Sequence, residues 1–207
     1  MGGRGSAPEL SALWLFAFKQ NLRYSQVSMA RSKDFQRHYE FPGCLHELTF
    51  GTYHRQKFFR DERLAEIVTS QLLISCISLS YDLAAFVVMP DHCHLLVRSR
   101  DADYSISEFL KDLKMSSAKA CFEAQPDLRS RCGIVHGGSL RQHSLWQRGG
   151  GFDRSLYSTK AIQSSIVYIE KNPVKAELSC EPHSYTWSSS GMVRDADGLV
   201  DLSFFEE

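Results

Sequence analysis

The sequence predicts an α+β fold in which helices pack on one face of an antiparallel sheet, and three observations support this prediction. One early segment alternates apolar and polar residues with a period of two, as a half-buried strand does. Two longer segments repeat apolar residues every three or four positions, as amphipathic helices do. Two further apolar runs are separated only by Pro90 and Asp91, which predicts a tight hairpin between adjacent strands.

The first strand and the first helix follow from these two periodicities. Residues 46–54 are predicted to form the strand, since Leu48, Phe50 and Thr52 fall on one face. Residues 61–80 are predicted to form the helix, and the acidic residues at its start suit the positive end of the helix dipole. Its apolar side chains recur at helical spacing: Leu64, Ile67, Val68, Leu72, Cys76 and Leu79.

The hairpin and the second helix come next. Residues 83–89 are almost continuously apolar and predict a buried strand, and residues 92–98 predict its antiparallel partner. Residues 105–123 predict a helix, again with apolar residues at helical spacing: Ile106, Phe109, Leu110, Leu113, Ala118, Cys121 and Phe122.

The last elements are less regular in sequence. Residues 124–142 are polar and contain glycine, so a loop is expected, with a strand around residues 144–148. A helix is expected from about residue 158 to residue 171, because the residue ahead of Pro173 disfavours the α region. The predicted order is therefore β-α-β-β-α-β with an added C-terminal helix that carries a tyrosine. This is the ferredoxin-like arrangement, which leaves the second face of the sheet open for a site.

The charge balance excludes a protein that coats nucleic acid by charge alone. The 207 residues include 24 Lys and Arg against 24 Asp and Glu, so the formal net charge is zero. Residues 191–207 hold five acidic residues and one basic residue, which leaves the rest of the chain mildly basic. An acidic end of this kind is usually solvated.

Cysteine spacing argues against a zinc site built on cysteine, and hydropathy argues against a membrane span. None of the six cysteines forms a C-x-x-C pair, so reduced, buried thiols are expected rather than a zinc site built on cysteine. The longest early apolar run, residues 12–18, is far shorter than the roughly 20 residues that a membrane span requires. A cytoplasmic protein is therefore expected.

The first candidate site is the sequence His92-Cys93-His94. Alternate residues of a strand share a face, so the two imidazoles point the same way, roughly 7 Å apart along the strand. Two imidazoles on one face can bind one metal ion. The alternative is that both histidines make ordinary hydrogen bonds on an edge strand. Cys93 points to the opposite face and is not expected to be a ligand.

The second candidate site is a tyrosine four residues ahead of an asparagine. Tyr168 and Asn172 lie on one side of the predicted helix end. A tyrosine can attack phosphorus and form a phosphotyrosine ester, and an amide oxygen suits a hard ion such as Mg²⁺ or Mn²⁺. The alternative is that Tyr168 packs in the core and Asn172 caps the helix.

Together, these segments resemble the single-tyrosine HUH (IS200-like) transposases, and most of all the branch of REP-associated tyrosine transposases. Residues 89–97 read MPDHCHLLV and residues 168–176 read YIEKNPVKA. Three further segments fit that branch: LHELT at 45–49 as its opening strand, LWQR at 145–148 as the strand before its last helix, and YTWSS at 185–189 as its C-terminal aromatic-serine motif. The resemblance covers about residues 39–190.

The resemblance implies a metal-dependent enzyme that cuts and rejoins single-stranded DNA hairpins. His92 and His94 match the family's metal ligands, Tyr168 matches its nucleophile, and Asn172 stands where members carry a polar third ligand. A divalent ion, Mg²⁺ or Mn²⁺, would stabilise charge on the scissile phosphate. The expected products are a 5′-phosphotyrosine and a free 3′-hydroxyl. The protein would then be a transposase or a domesticated enzyme that processes REP sequences, acting as a monomer or a homodimer.

DNA contacts are expected from basic and aromatic side chains. Five basic residues are candidate phosphate contacts: Lys111, Lys114, Lys119, Arg148 and Arg154. Three aromatic residues either stack on unpaired bases or fill the core: Trp146, Tyr185 and Trp187. Whether His46 and His54 lie near His92 and His94 depends on the relative directions of the strands.

The chain is expected to divide into three parts. Residues 1–38 form an N-terminal extension, residues 39–190 the catalytic domain and residues 191–207 the acidic tail. Met29 offers an alternative start, so residues 1–28 are expected to be an over-read or a dispensable extension.

Three other functions are compatible with the same residues. The first is a catalytically silent nucleic-acid-binding module of the same fold, although a pure binder would not need the histidines, the tyrosine and the asparagine together. The second is a plasmid-type replication or mobilisation nuclease with HUH chemistry, which the Tyr-x-x-x-Asn-Pro context and the short chain disfavour. The third is a zinc hydrolase, which would hold zinc tightly without nicking DNA.

Overall fold

A four-stranded antiparallel sheet is the central element of the part of the chain that the structure describes. The computed structural model describes residues 44–136 and 139–203, with side chains described outside residues 133–142. The strands are β1 (Leu45–Gly51), β2 (Tyr81–Met89), β3 (His92–Ser99), β4 (Gly133–His136), β5 (Ser139–His143) and β6 (Phe152–Leu156). The main sheet has the order β2-β3-β1-β6, which confirms the predicted α+β class.

The helices begin where the sequence offers a capping side chain. They are α1 (Glu62–Ser78), α2 (Ile106–Ala124), α3 (Leu128–Arg131), α4 (Thr159–Glu170) and α5 (Asn172–Lys175). The side chains of Asp61, Ser105 and Ser158 accept hydrogen bonds from backbone N–H groups in the first turns of α1, α2 and α4. These caps explain why the three long helices start within one residue of the predicted positions.

The two faces of the sheet are covered differently. Leu48 and Phe50 of β1 share one face with Cys93 and Leu95 of β3, and α1 and α2 cover this face. The opposite face carries His92 and His94. There, α4 packs through a helical stripe on apolar strand residues, among them Leu45, Ala85, Leu96 and Leu156. The helix that bears the candidate tyrosine therefore lies on the same face as the histidines.

The outer edge of β2 is covered by the chain that follows α5. The backbone N–H of Val88 donates to the Trp187 carbonyl at 2.8 Å, and the N–H of Val200 donates to the Leu83 carbonyl at 2.8 Å. Leu199, Val200 and Leu202 are buried against the domain. Residues 191–203 therefore do not form the expected solvated end, because their apolar side chains and backbone groups cover an edge strand.

The fourth strand of the main sheet is β6, at residues 152–156, and not the predicted segment at 144–148. Trp146 makes a single bridge to Thr52, and its indole N–H donates to Ser117 Oγ at 3.0 Å in the core. The sequence of β6 is mostly polar because this edge strand is largely exposed, so hydrophobic periodicity did not identify it.

The predicted loop at 124–142 contains secondary structure. It includes α3 and a two-stranded hairpin in which β4 pairs with β5. The strands have four and five residues, which is too short for a clear sequence pattern.

Two other expectations concern the thiols and the membrane. All six cysteines are free, and all except Cys180 are buried. Across residues 44–136 and 139–203, none of the helices is both long and apolar enough to span a bilayer. The expected extension at 1–38, including the alternative start at Met29, lies outside the described residues, and the three-part division stays a prediction.

We predict that Gly151→Ala destabilises the protein by at least about 2 kcal/mol. Gly151 has a φ of +81°, and an added Cβ would collide with the carbonyl oxygen of Thr49 in the neighbouring strand. The matched control is Gly150→Ala, since nothing lies within 4 Å of the Cβ position there. Urea unfolding of both variants measures the difference, and an equal effect of the two substitutions would contradict the close approach.

Candidate active site

His92 and His94 form a close pair on the face of the sheet that α4 partly covers. Their Nε2 atoms are 3.1 Å apart, and the two ring planes are inclined by 83°. His94 is only 6% exposed, whereas the side chain of His92 is 15% exposed. The predicted common face of the two imidazoles is thus present, with the two Nε2 atoms next to each other.

The Nδ1 atoms of the two rings are hydrogen-bonded to oxygen atoms of neighbouring side chains. Nδ1 of His92 lies 2.6 Å from Oδ1 of Asp91, and Nδ1 of His94 lies 2.8 Å from Oγ1 of Thr49. An ionised carboxylate only accepts hydrogen bonds, so Nδ1 of His92 is the donor. In the neutral ring this leaves the lone pair on Nε2. The Thr49 hydroxyl can accept from His94 in the same way.

The geometry of the pair fits one shared metal ion. Nitrogen ligands about 2.1 Å from an ion and at right angles to each other are about 3 Å apart, close to the observed separation. The carboxylate and hydroxyl behind the rings are the partners that orient metal-binding histidines. Within the described residues no three side chains of His, Cys, Asp or Glu cluster in a way that could hold a metal. Among those residues, any further protein ligand at this position would be of another type.

The electrostatics of the pair keep His94 neutral. Burial, together with the neighbouring His92, lowers the pKa of His94 to about 4, against the smaller opposing effect of Glu47. The imidazole consequently retains a lone pair throughout the physiological pH range.

Tyr168 reaches this pair from α4. Its ring centroid lies 5.6 Å from that of His94 in an edge-to-face arrangement, and the residue is 42% exposed. Ile162, Ile166 and Ile169 anchor the helix to the sheet at helical spacing. The ammonium of Lys175 lies 4.5 Å from the Tyr168 ring centroid and covers one face of the ring. Tyr168 is therefore held in place beside the histidine pair while its side chain stays accessible to solvent.

Asn172 lies at the junction of α4 and α5. Its side-chain N–H group donates to the carbonyl of Tyr168 at 2.8 Å, so the amide caps the end of α4. Capping uses the nitrogen of the amide, and the oxygen is the atom that would bind a metal. The capping role and the ligand role are therefore compatible.

A buried carboxylate connects the sheet to the helix that carries Tyr168. Glu47 is 7% exposed, and its Oε2 accepts from Ser165 Oγ at 2.8 Å and from Arg154 at 2.6 Å. Ser165 lies one turn before Tyr168, so this contact fixes the relevant turn of α4 against β1 and β6. Apolar packing alone leaves a helix freer to slide, whereas a hydrogen-bonded charge has a definite geometry.

Only some of the predicted DNA contacts lie on the histidine face. Arg154 lies there, paired with Glu47. Lys111, Lys114 and Lys119 belong to α2 on the opposite face, and Lys114 donates to the carbonyl of Gly149 at 2.7 Å. Arg148 is exposed in the loop before β6.

Other residues singled out by sequence have structural roles. Trp146 is buried in the core, and the Tyr185 hydroxyl donates to the carbonyl of Val88 at 2.9 Å. His46 lies on the α1 and α2 side of the sheet, where its Nδ1 is 3.0 Å from Asp153 Oδ1. It is therefore not a neighbour of the His92 and His94 pair.

Sequence reasoning missed four residues that surround the pair: Glu47, Thr49, Arg55 and Asp91. Thr49 lies directly opposite His94, and Gly51 lies opposite His92, in the register of β1 with β3. Knowledge of that register would have identified Thr49. Asp91 immediately precedes His92 and could have been recognised as a carboxylate partner of its ring.

Comparisons with known proteins point to one family. The family model described as "Transposase IS200 like" matches residues 41–172. The structure of a REP-associated tyrosine transposase bound to a REP hairpin superposes with a TM-score of 0.58, at 17% identity over 77% of this chain and 84% of that chain. This level of similarity shows a shared fold.

Two further comparisons add no argument. A proposed transposase from Deinococcus radiodurans R1 is 27% identical over 67% of this chain and 97% of its own, with a TM-score of 0.45. That TM-score is below the level at which a shared fold is inferred. No curated protein matches the chain.

We predict that His94 makes the metal-free protein less stable as the pH falls. The folded-state pKa of about 4 lies below the ordinary value of 6.5, so between these values the unfolded chain binds more protons. The free energy of unfolding should therefore fall by about 2 kcal/mol more in the wild type than in His94→Gln between pH 6.5 and 4.5. Urea unfolding in chelator measures this, with the exposed His183→Gln as control. Parallel pH profiles of wild type and His94→Gln would refute the assignment.

Proposed function

The chain belongs to the family of IS200-like transposases, and on that premise we propose that it cleaves and rejoins single-stranded DNA through a covalent bond to Tyr168. The observation that carries the proposal is the edge-to-face contact of the Tyr168 ring with His94, at 5.6 Å between centroids. This contact places the proposed nucleophile, which is accessible to solvent, beside two imidazoles of the same chain that could bind a metal ion. Tyr168, His92 and His94 therefore need no second subunit to meet.

The proposed reaction is a transesterification at phosphorus. The phenolic oxygen of Tyr168 attacks the scissile phosphate and loses its proton to solvent. The bond between phosphorus and the 3′ oxygen breaks, and that oxygen takes up a proton. The products are a 5′-phosphotyrosine and a free 3′-hydroxyl. Because the phosphotyrosine is itself a phosphodiester, a second DNA 3′-hydroxyl can reverse the step without an external energy source.

The residues that would hold a divalent ion, Mg²⁺ or Mn²⁺, are His92, His94 and Asn172. Such an ion supplies Lewis-acid stabilisation of the charge on the non-bridging phosphate oxygens. Asp91 and Thr49 orient the two imidazoles, and Glu47 with Ser165 holds the turn of α4 that bears Tyr168. Each of these four residues positions another side chain of the site. Positioning matters because the attacking oxygen must be aligned with the breaking bond.

Two observations favour a single-stranded substrate. Phe152 lies beside Thr49 on the histidine face and is 52% exposed, so its ring offers a stacking surface to an unpaired base. A protein of the same fold is described as bound to a REP hairpin. Hairpin DNA with a single-stranded flank is therefore the first substrate to test.

A catalytically silent DNA-binding module remains the competing function. It predicts binding of the same hairpins with no covalent product.

We expect a covalent adduct between the protein and labelled hairpin DNA in the presence of Mg²⁺ or Mn²⁺. Denaturing gels should show label at protein mass, and the label should disappear in Tyr168→Phe, in His92→Ala and with chelator. The matched control is Tyr157→Phe, since Tyr157 is 68% exposed in the link between β6 and the same helix and the adduct should not depend on it. DNA binding without an adduct across several hairpins and both metals would favour the silent module.

We expect Thr49→Val to weaken metal binding at least about tenfold without unfolding the protein. Valine keeps the shape of threonine but removes the oxygen that binds Nδ1 of His94, which frees the imidazole to rotate. Calorimetric titration with Mn²⁺ in the absence of DNA measures the affinity. The exposed Thr186→Val is the control. Wild-type affinity in Thr49→Val would show that the hydroxyl does not orient His94.

A further inference from the structure

The turn between β1 and α1 holds an arginine in a strained backbone conformation. His54 and Arg55 are consecutive non-glycine residues with φ of 52° and 55°, in the left-handed region. Each such residue costs on the order of 1 kcal/mol or more, so surrounding contacts must enforce the conformation. Thr52 supplies them, because its hydroxyl donates to the Gln56 carbonyl at 2.7 Å and lies 3.0 Å from the Asp91 carbonyl.

This turn directs the Arg55 side chain onto the histidine face. Nε of Arg55 lies 3.1 Å from Oδ2 of Asp91, whose other oxygen binds His92. A terminal nitrogen of the guanidinium lies 3.2 Å from the position that a Cβ on Gly51 would occupy. Gly51 pairs directly with His92 across the sheet, so the guanidinium lies next to His92. The absence of a side chain at Gly51 makes room for it.

The charge of Arg55 is only partly engaged by this contact. The ion pair with Asp91 uses Nε, and the side chain is still 59% exposed. A guanidinium has five N–H donors, of which four are on the terminal nitrogens. Asp91 is shared with His92, so its negative charge is divided between two partners. The arginine thus presents a directed cation at the rim of the proposed metal site.

We propose that Arg55 binds a phosphate of the DNA strand, at or next to the phosphate that Tyr168 attacks. This proposal rests on the proposed function, since it assigns one substrate contact to the same site. An arginine fork matches the paired oxygens of a phosphodiester and carries no base preference. Arg55 therefore positions the strand relative to the histidine pair and does not select its sequence.

A purely structural role of Arg55 would give a different experimental result. If Arg55 only orients Asp91 and His92, its loss weakens metal binding and cleavage but leaves DNA affinity without metal unchanged. A phosphate contact instead releases counterions, so its loss reduces the salt dependence of binding. The salt dependence in chelator therefore separates the two roles.

The test compares Arg55→Gln with Arg63→Gln, which removes an equal charge from the exposed opposite side of the domain, on α1. Both are made in full-length Tyr168→Phe protein, and fluorescence anisotropy measures binding of a labelled hairpin with a single-stranded flank. We expect Arg55→Gln to weaken binding and to reduce the slope of log K against log salt by about 0.7. Arg63→Gln should leave the slope unchanged, and Arg55→Lys should restore it.

A second measurement needs no substitution. Arginine-specific labelling of the wild-type protein with phenylglyoxal, read by mass spectrometry, should show Arg55 protected by DNA and Arg63 unprotected. An unchanged slope or an unprotected Arg55 would overturn the proposal. Adduct formation in the wild type tests the proposed function separately. An adduct with no effect of Arg55 on binding would overturn only the role of Arg55. Binding through Arg55 with no adduct would overturn only the proposed cleavage.

Discussion

The antiparallel register of β1 against β3 is the constraint on which the site depends. It sets Thr49 opposite His94 and Gly51 opposite His92, and these pairs supply the hydroxyl behind one imidazole and the open space beside the other. A slip of one residue would exchange the faces of a strand, bringing Leu48 and Phe50 to the histidine face and exposing the core. Burial of Leu48 and Phe50 under α1 and α2 therefore fixes the register, and the polar contacts of the site follow from apolar packing on the other side of the sheet.

The helix that carries Tyr168 is held by apolar packing and by two carboxylates, of which Glu47 is buried and Glu170 is partly buried. Glu47 accepts from Ser165 in the middle of α4, and Glu170 at its end accepts from Ser189 and Arg194 of the following chain. Isoleucines bind the helix to the sheet, but they tolerate small shifts along its axis. The charged hydrogen bonds restrict those shifts, because moving a buried carboxylate away from its donors costs a large desolvation energy. Both kinds of contact suit the proposed role of Tyr168, whose oxygen would have to be aligned with the breaking bond.

The sequence predicted those parts of the molecule that are local or strongly periodic. The histidine pair was recognisable because alternation on a strand needs no knowledge of its neighbours, and the end of α4 was predicted because the residue ahead of Pro173 disfavours the α region. β6 was missed because an exposed edge strand with the sequence FDRSL lacks a buried face to reveal it. Thr49, Glu47 and Arg55 were missed because their roles come from contacts across strands. Their side chains are ordinary in sequence, and only the pairing of β1 gives them a place in the site.

The openness of the site is itself informative about the substrate. Tyr168, Phe152 and Arg55 are each about half exposed, although they surround a buried imidazole. An enzyme acting on a small molecule gains from enclosing it, because exclusion of water strengthens every polar contact. A long polymer cannot be enclosed in the same way, and it has to lie across a surface. On such a surface, precise geometry must come from the protein alone. The strained turn at His54 and Arg55 is consistent with this requirement, since it sets the direction of the arginine that we propose as a phosphate contact.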